Sequence, residues 1–409
     1  MAATSAAPAE VLVGDAYREI LLRLPADRPE LLYRFTVVSP TWRQILIDPV
    51  FLRCYREFHG LQHLIGYVHD GRDGPSSVVA GFVTTAHTTF RPRLPKDGED
   101  LHVLDSRHGR VIFEKFGKGW IEESTLIVWD PVRDRHQELR KPDAFAKEEF
   151  VHTAAVLCDA PECNHHDCNG GPFRVVFVGL SEEKGSWSTS VFNYTSASGS
   201  WIASPAAAAP IADDEDWGFP MPAPTTLVGA STLYFRSFGR PLRYQFADNV
   251  EEQLAYIDVP PYDTQDQEAR GSVLMPAADG KLSFAAMYAD MSIRFWETKV
   301  LADGSVDWVY IGQKVLPEIP VPAVLLIGST ASLLFFRTKD DGVIRIDVGS
   351  GRFEELPRPA TRISGLCLTG PFGVEPVEIE HVSMKMISDQ DTNDQSVPIS
   401  KIRDFEERK

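Results

Sequence analysis

The stretch that decides the fold is STLIVWDPVRDRHQEL, residues 124–139, where an apolar run ends on Asp130, passes through a polar turn and continues as a second run. Two more stretches have the same form, SVFNYTSASGSWIASP at 190–205 and GVIRIDVGSGRFEELP at 342–357. Short runs of this kind on both sides of a turn predict β-hairpins. Because the pattern recurs along one chain, it indicates a repeated β-unit.

Short apolar runs bounded by turn residues continue on both sides of these hairpins, from Leu61 to about Gly370. Dipeptides such as Ser198-Gly199 and Asp279-Gly280 are typical of tight hairpin turns. Similar strand pairs recur about every 40 to 50 residues, the span of one four-stranded propeller blade. The region therefore has room for roughly six blades. A β-sandwich is the weaker alternative, because about 310 residues of evenly spaced strands exceed one sandwich.

The first sixty residues have a different pattern. The segment DAYREILLRLP places Ala16, Ile20 and Leu24 at helical spacing, and Pro25 cannot continue that helix. Ser39-Pro40 is a favourable helix start, and Asp48-Pro49 interrupts the helix that follows it. The sequence predicts three or four short helices here. Their apolar faces either pack on the rest of the chain or bind a partner.

The run LVGDAYREILLRLPADRPELLYRFTVVSPTWRQILIDPVFL, residues 12–52, resembles an F-box. Its Ile-Leu-x-x-Leu-Pro, Val-x-x-x-Trp-Arg and Asp-Pro-x-Phe elements occur in the usual order. It departs from the family pattern at Val13, where a proline is usual, and at Ser39-Pro40-Thr41. The resemblance implies binding to a Skp1-like adaptor through the matching positions Leu12, Ile20, Leu21, Leu24, Pro25, Leu32, Val38 and Trp42.

Taken together, the two regions resemble plant F-box proteins with an F-box-associated, kelch-like β-propeller. The resemblance implies a small all-α N-terminal F-box module followed by an all-β propeller of roughly six blades. The predicted organisation is a disordered N-terminus at 1–10, an F-box helical domain at 11–60, a propeller-like domain at 61–372 and a polar tail at 373–409.

Composition restricts the possible partners. The formal net charge is −17 and the pI about 5.1, so the chain is not expected to bind nucleic acid, whose phosphates an acidic surface repels. No apolar stretch approaches the roughly 20 residues that span a membrane. The opening MAATSAAPAE lacks the basic and apolar regions of a secretory signal. We expect a cytoplasmic or nuclear protein that does not bind a membrane.

The sequence contains no motif of nucleophilic, phosphate-binding or HExxH-type chemistry, so we expect neither an enzyme nor a cofactor. The resemblance implies a substrate receptor of an SCF-type ubiquitin ligase, linked through the Skp1-like adaptor to cullin and RING subunits, with the propeller holding a target protein that the sequence does not identify. The alternative is a propeller scaffold or metal-binding interaction module without a ligase role.

One cluster could bind a metal: Cys158, Cys163, His165, His166 and Cys168 fall within eleven residues. Thiolates and imidazoles suit zinc. However, the ligands would come from one loop, without the paired Cys-x-x-Cys spacing of zinc knuckles. The apolar runs on both sides indicate a long hairpin connection inside a blade, so no metal is expected here.

We therefore expect elemental analysis of the purified chain to find no stoichiometric zinc. The control is the same measurement on a variant in which Cys163 and Cys168 are replaced. Stoichiometric zinc that disappears in this variant would show that the loop is a metal site.

Overall fold

The computed structural model describes most of the chain from residue 8 to residue 369. The described residues are 8–25, 28, 30–59, 66–72, 78–84, 90–116, 124–145, 151–160, 171–183, 186–206, 224–237, 240–247, 250–260, 269–277, 280–300, 306–315, 323–329, 333–340, 342–358 and 363–369. None of the helices in these ranges is long and apolar enough to cross a membrane.

Four helices precede the strands: α1 (Pro8–Leu22), α2 (Glu30–Phe35), α3 (Pro40–Leu46) and α4 (Pro49–His59). They begin and end near the predicted turn residues. Ser39 is the N-cap of α3, with Pro40 in the first helical position. Asp48, just before α4, accepts a hydrogen bond from the Val50 amide at 3.1 Å. The helices share one cluster of buried side chains: Leu21, Leu32, Ile45, Leu46, Phe51, Leu52 and Tyr55.

Asp48 also ties α4 to α1. The Arg18 guanidinium donates to its carboxylate at 2.5 Å. Burial opposes the charge on Asp48, but the hydrogen bonds from Arg18 and from the Val50 amide outweigh it and lower the pKa of Asp48. The Asp-Pro pair that interrupts the sequence pattern thus fixes the corner between α3 and α4.

The strands form five four-stranded antiparallel blades, each made of consecutive strands. Blade 1 comprises β3 (Leu101–Arg107), β4 (Arg110–Lys115), β5 (Thr125–Asp130) and β6 (Arg135–Arg140); blade 2 comprises β7 (His152–Cys158), β8 (Phe173–Glu183), β9 (Ser186–Thr195) and β10 (Ser200–Ala203); blade 3 comprises β11 (Thr226–Val228), β12 (Thr232–Phe235), β13 (Leu242–Ala247) and β14 (Val250–Tyr256); blade 4 comprises β15 (Ala269–Pro276), β16 (Leu282–Tyr288), β17 (Ser292–Val300) and β18 (Val306–Val315); blade 5 comprises β19 (Ala323–Ser329), β20 (Leu333–Thr338), β21 (Val343–Asp347) and β22 (Phe353–Leu356).

A three-stranded closing sheet joins the two ends of the strand region. It contains β1 (Gly66–Arg72), β2 (Val78–Thr84) and β23 (Ile363–Thr369), in the order β2-β1-β23. β1 and β23 pair antiparallel, with Gly66 opposite Thr369. Tyr67 packs against blade 5, and Val68 packs against blade 1. The closing sheet therefore lies between the last blade and the first.

Every pair of neighbouring sheets shares a hydrophobic core. Strand β8 shows how one strand contributes to two of these cores. Its Val175 and Phe177 pack toward blade 1, whereas Val176 and Val178 pack toward blade 3. Alternate side chains of a strand point to opposite faces, so a strand between two cores is apolar at nearly every position.

The predicted fold class, a small all-α F-box module followed by an all-β propeller of roughly six blades, is wrong. The described chain is almost all β, and its propeller has five four-stranded blades. The helices before it are few and short, and a distinct all-α module is not indicated. Helical spacing predicts helices but not an independent module. Hairpin spacing does not give the number of blades when one sheet takes its strands from both ends of the strand region.

The three repeated stretches are the outer hairpins β5–β6, β9–β10 and β21–β22 of their blades. All three have the same turn, in which a side-chain oxygen at the end of one strand accepts a backbone N–H three residues later. The pairs are Asp130 and Arg133 at 3.0 Å, Thr195 and Ser198 at 3.2 Å, and Asp347 and Ser350 at 2.5 Å. Asp and Thr favour such turns because their short side chains reach the nearby backbone.

Tryptophans on outer strands connect neighbouring blades. Trp201 Nε1 on β10 donates to the Arg140 carbonyl of blade 1 at 2.8 Å. Trp308 Nε1 on β18 donates to the Asp258 carbonyl, which follows β14 of blade 3, at 2.6 Å. Each indole also packs at the core between the two blades. Tryptophan suits this position because it combines a large apolar ring with one polar donor.

We expect Trp308→Phe to lower the free energy of unfolding by about 1–2 kcal/mol, because the variant keeps an aromatic ring in the core but loses the hydrogen bond to Asp258. Trp308→Ala should cost about 3–5 kcal/mol, since it also leaves a cavity. Chemical denaturation of the two variants beside the unmodified chain separates the two contributions. A Trp308→Phe variant as stable as the unmodified chain would contradict the role assigned to the indole N–H.

Candidate functional site

The residues predicted to bind an adaptor fall into two groups in the N-terminal helical region. Leu21 and Leu32 lie in the helical cluster, and Leu24 and Trp42 pack against it. Ile20, Pro25 and Val38 are exposed. Leu12 lies within α1, but its side chain is not among those that the structure describes. The assignment of these residues to an adaptor surface stays a prediction.

Exposed apolar side chains are concentrated in the N-terminal helical region, on the helices and on the turns between them. Thirteen large hydrophobic side chains are exposed in the described part of the chain, and six of them lie between residues 20 and 58. The six are Ile20, Val37, Val38, Ile47, Val50 and Phe58. Four of the other seven lie on the single strand β18. Grouped exposed apolar residues are typical of surfaces that bind other proteins.

The candidate metal ligands fall mostly outside the described residues. Cys163, His165 and Cys168 are among the residues that the structure does not describe. Cys158 ends β7 and is partly exposed, and its N–H donates to His108 Nδ1 at 2.9 Å. Within the described ranges, no group of three or more His, Cys, Asp or Glu side chains could hold a metal ion.

Both ends of the Cys- and His-containing connection are anchored. The Asp159 amide donates to the Pro172 carbonyl at 2.9 Å, and the Asp159 carboxylate pairs with Arg174 at 3.0 Å. The Arg110 guanidinium, from blade 1, donates to the Gly171 carbonyl. This connection joins β7 to β8, as the apolar runs beside it predicted.

Buried charged groups between blades are the feature that the sequence did not predict. Glu114 on β4 accepts a hydrogen bond from Lys141 at 2.6 Å and lies 3.1 Å from His152 Nε2 on β7. All three side chains are at least nine-tenths buried. Burial alone would raise the pKa of Glu114, but the contacts with His152 and Lys141 lower it well below its ordinary value. The group therefore holds blade 1 to blade 2 as a compensated ionic contact.

A similar contact joins the closing sheet to blade 1. His102 Nδ1 on β3 lies against Asp70 Oδ2 on β1, and both side chains are buried. On the opposite face of β1, His69 is also buried, which lowers its pKa despite the nearby Asp70. Asp70 lies on the middle strand of the closing sheet, and Glu114 lies on the second strand of blade 1. Each contacts a histidine on the first strand of the next sheet, so the two pairs are equivalent contacts in the ring.

A third buried group connects the first strands of three blades. Asp105 on β3 accepts hydrogen bonds from the Val156 amide of β7 at 3.1 Å and from the Thr225 amide at 3.2 Å, just before β11. Arg107 donates to the Thr225 carbonyl at 2.5 Å. Burial raises the pKa of Asp105, although Arg107 and the backbone donors oppose that shift.

The same arrangement continues on the other side of the ring with neutral groups. The hydroxyls of Thr226 on β11 and Ser329 on β19 both donate to the Leu274 carbonyl of β15, at 3.2 and 3.0 Å. Charged residues inside apolar runs, as in VLDSRHGRVIF, were the available signal for these contacts. The sequence does not show which neighbouring blade each side chain reaches.

Neither a family model nor a curated protein sequence matches this chain. Among solved structures, it is similar to the SapL1 lectin in complex with alpha methyl fucoside, with a TM-score of 0.38 and 10% identity over 73% of this chain and 98% of that one. It is also similar to the fucose-specific lectin from Aleuria aurantia, with a TM-score of 0.34 and 12% identity over 73% and 98% of the two chains. For virginiamycin B lyase from Staphylococcus aureus the values are 0.30 and 12%, over 69% and 96%.

The described polar groups act as structural contacts. Each of the three buried groups bridges neighbouring blades, and its charges are compensated by partners from the same ring. The propeller fold is consistent with a binding scaffold. Most exposed large apolar side chains of the described residues lie in two places, the N-terminal helical region and β18.

We expect Glu114→Gln to lower the free energy of unfolding by about 3–5 kcal/mol at neutral pH, because it leaves Lys141 buried without its counter-charge. The pKa of Glu114 is depressed in the folded chain, so its contribution is present above the ordinary glutamate pKa and is lost as the pH falls below about 4. Denaturation curves of both proteins should therefore converge in acid. A difference that stays constant from pH 7 to acid would contradict the assigned charge.

Proposed function

We propose that this chain is a non-catalytic receptor: its N-terminal helices bind a Skp1-like adaptor of an SCF-type ubiquitin ligase, and its propeller binds a target protein. The adaptor would link the chain to the cullin and RING subunits, in the cytoplasm or the nucleus. The observation that carries the proposal is the group of exposed apolar side chains in the N-terminal helical region.

The division of the helical residues supports this proposal. Leu21 and Leu32 are buried and hold the helices together, so a partner does not reach them. Ile20 is 55% exposed and Val38 is 63% exposed, and both match F-box positions in the sequence. Apolar side chains that remain exposed beside a packed cluster gain free energy when a partner covers them, about 25 cal/mol for each Å² buried.

Ubiquitin transfer would then need no catalytic group in this chain. The receptor would hold the target beside the E2 enzyme recruited by the complex and so raise the effective concentration of target lysines there. The rigid propeller suits this task, since every blade shares a hydrophobic core with its neighbours and exposed loops on such a scaffold are common binding elements.

The test is a pull-down of the full chain with a Skp1-type adaptor. We expect the double variant Ile20→Asp, Val38→Asp to lose binding, because it places two charges on the proposed contact surface without altering the buried cluster. Substitution of Leu21 or Leu24 would not serve, because those residues contribute to the packing of the helices themselves.

The matched control is Ile202→Asp on β10, where the side chain is exposed to the same degree as Val38 but lies on the propeller. This variant should bind like the unmodified chain. A chain without residues 1–60 should not bind. The proposal fails if the full chain does not bind the adaptor, or if it binds equally well with and without these sixty residues.

A further inference from the structure

Strand β18 differs from the outer strands of the other four blades. It runs for ten residues, VDWVYIGQKV, and is the last strand of its sheet. Val309, Tyr310, Ile311 and Val315 are exposed along it. The outer strands β10 and β22 have only four residues each, and β6 exposes Arg135, Glu138 and Arg140. Short length and charge are the usual protection of a sheet edge, and β18 has neither along its middle.

The charged residues of β18 lie near its two ends and have opposite signs. Asp307 is the second residue of the strand, and Lys314 is the second from its end. If two copies of the strand pair antiparallel about an axis between Tyr310 and Ile311, Asp307 of one copy lies opposite Lys314 of the other. The same register places Val306 opposite Val315. The strand is therefore complementary to itself, with two charge pairs around an apolar middle.

A β-bulge makes this register possible. Ile311 is an extra residue, because Tyr310 pairs with Trp296 while Gly312 pairs with Phe295. Gly312 has a φ of +144°, which favours glycine. Residues seven apart on a regular strand lie on opposite faces. With the extra residue, Asp307 lies opposite Lys299 of β17, and Lys314 lies opposite Ile293. Lys299 and Ile293 are an even number of residues apart and so lie on one face of the sheet. Asp307 and Lys314 therefore share that face.

The Lys314 side chain is already placed on that face. Its ammonium group donates to the Val348 carbonyl of blade 5. An ammonium group has three N–H donors, so this bond leaves donors for a carboxylate from another molecule. Asp307 is exposed at the same face. Both charges are thus available to a second copy.

We propose that this protein forms a symmetric dimer in which β18 pairs antiparallel with β18 of a second copy, joining the two fourth blades into one continuous sheet. The occupant of the edge is a second copy because the charges of the strand complement themselves. One strand pair is a small contact, so we expect a dissociation constant in the micromolar range, on the order of 10 µM. This inference does not depend on adaptor binding.

The test is sedimentation of the full chain between about 1 and 100 µM, a range that brackets such a constant. The unmodified chain should change from monomer to dimer. Asp307→Lys alone and Lys314→Asp alone should each weaken the dimer by about tenfold or more, since like charges then face each other twice. A mixture of these two variants should form the mixed dimer, because opposite charges face each other again.

The matched control is Glu251→Lys, the same type of charge change on the outer strand β14 of blade 3, which should leave the dimer unchanged. The double variant Asp307→Lys, Lys314→Asp should dimerise like the unmodified chain, which also shows that both substitutions are compatible with folding. A chain that stays monomeric at 100 µM overturns the proposal. Single variants that dimerise normally, or a mixture that does not recover the dimer, overturn it as well.

Discussion

The structure depends on the pairing of β1 with β23, because this contact converts a row of sheets into a ring. Blades 1 to 5 each share a core with the next blade, but a row has two apolar ends. The closing sheet covers both ends, with Tyr67 packed toward blade 5 and Val68 toward blade 1. The buried Asp70 and His102 side chains contact each other at this junction, so each polar group has a partner there.

Local features of the fold were predictable from the sequence. The hairpins predicted at 124–139, 190–205 and 342–357 are present, because turn residues bound their apolar runs. The repeated stretches are equivalent outer hairpins, since each encodes its own turn. Long-range pairing was not predictable. Nothing near Ile363–Thr369 shows that its partner is β1, and for that reason the predicted number of blades was wrong.

The same limit applies to the candidate site. Helical spacing of the apolar residues predicted that the N-terminal segment is helical. It did not predict that Leu21 is buried while its neighbour Ile20 is exposed. That distinction depends on how four short helices pack. The buried Glu114 group was missed because its three members come from β4, β7 and the connection between β6 and β7, which are separate in sequence.

Ring closure also has a consequence for the order of folding. The strands of blades 1 to 5 follow one another in the chain, so each blade is complete as soon as its fourth strand is synthesised. β1 and β2 are made before all of them, yet their partner β23 is made after all of them. Contacts between such distant residues form slowly. Until β23 is synthesised, one edge of β1 stays open, and the face around Tyr67 stays uncovered until blade 5 has been made. The nascent chain is therefore most prone to aggregation at β1. This exposure ends only when β23 has been synthesised and has paired with β1.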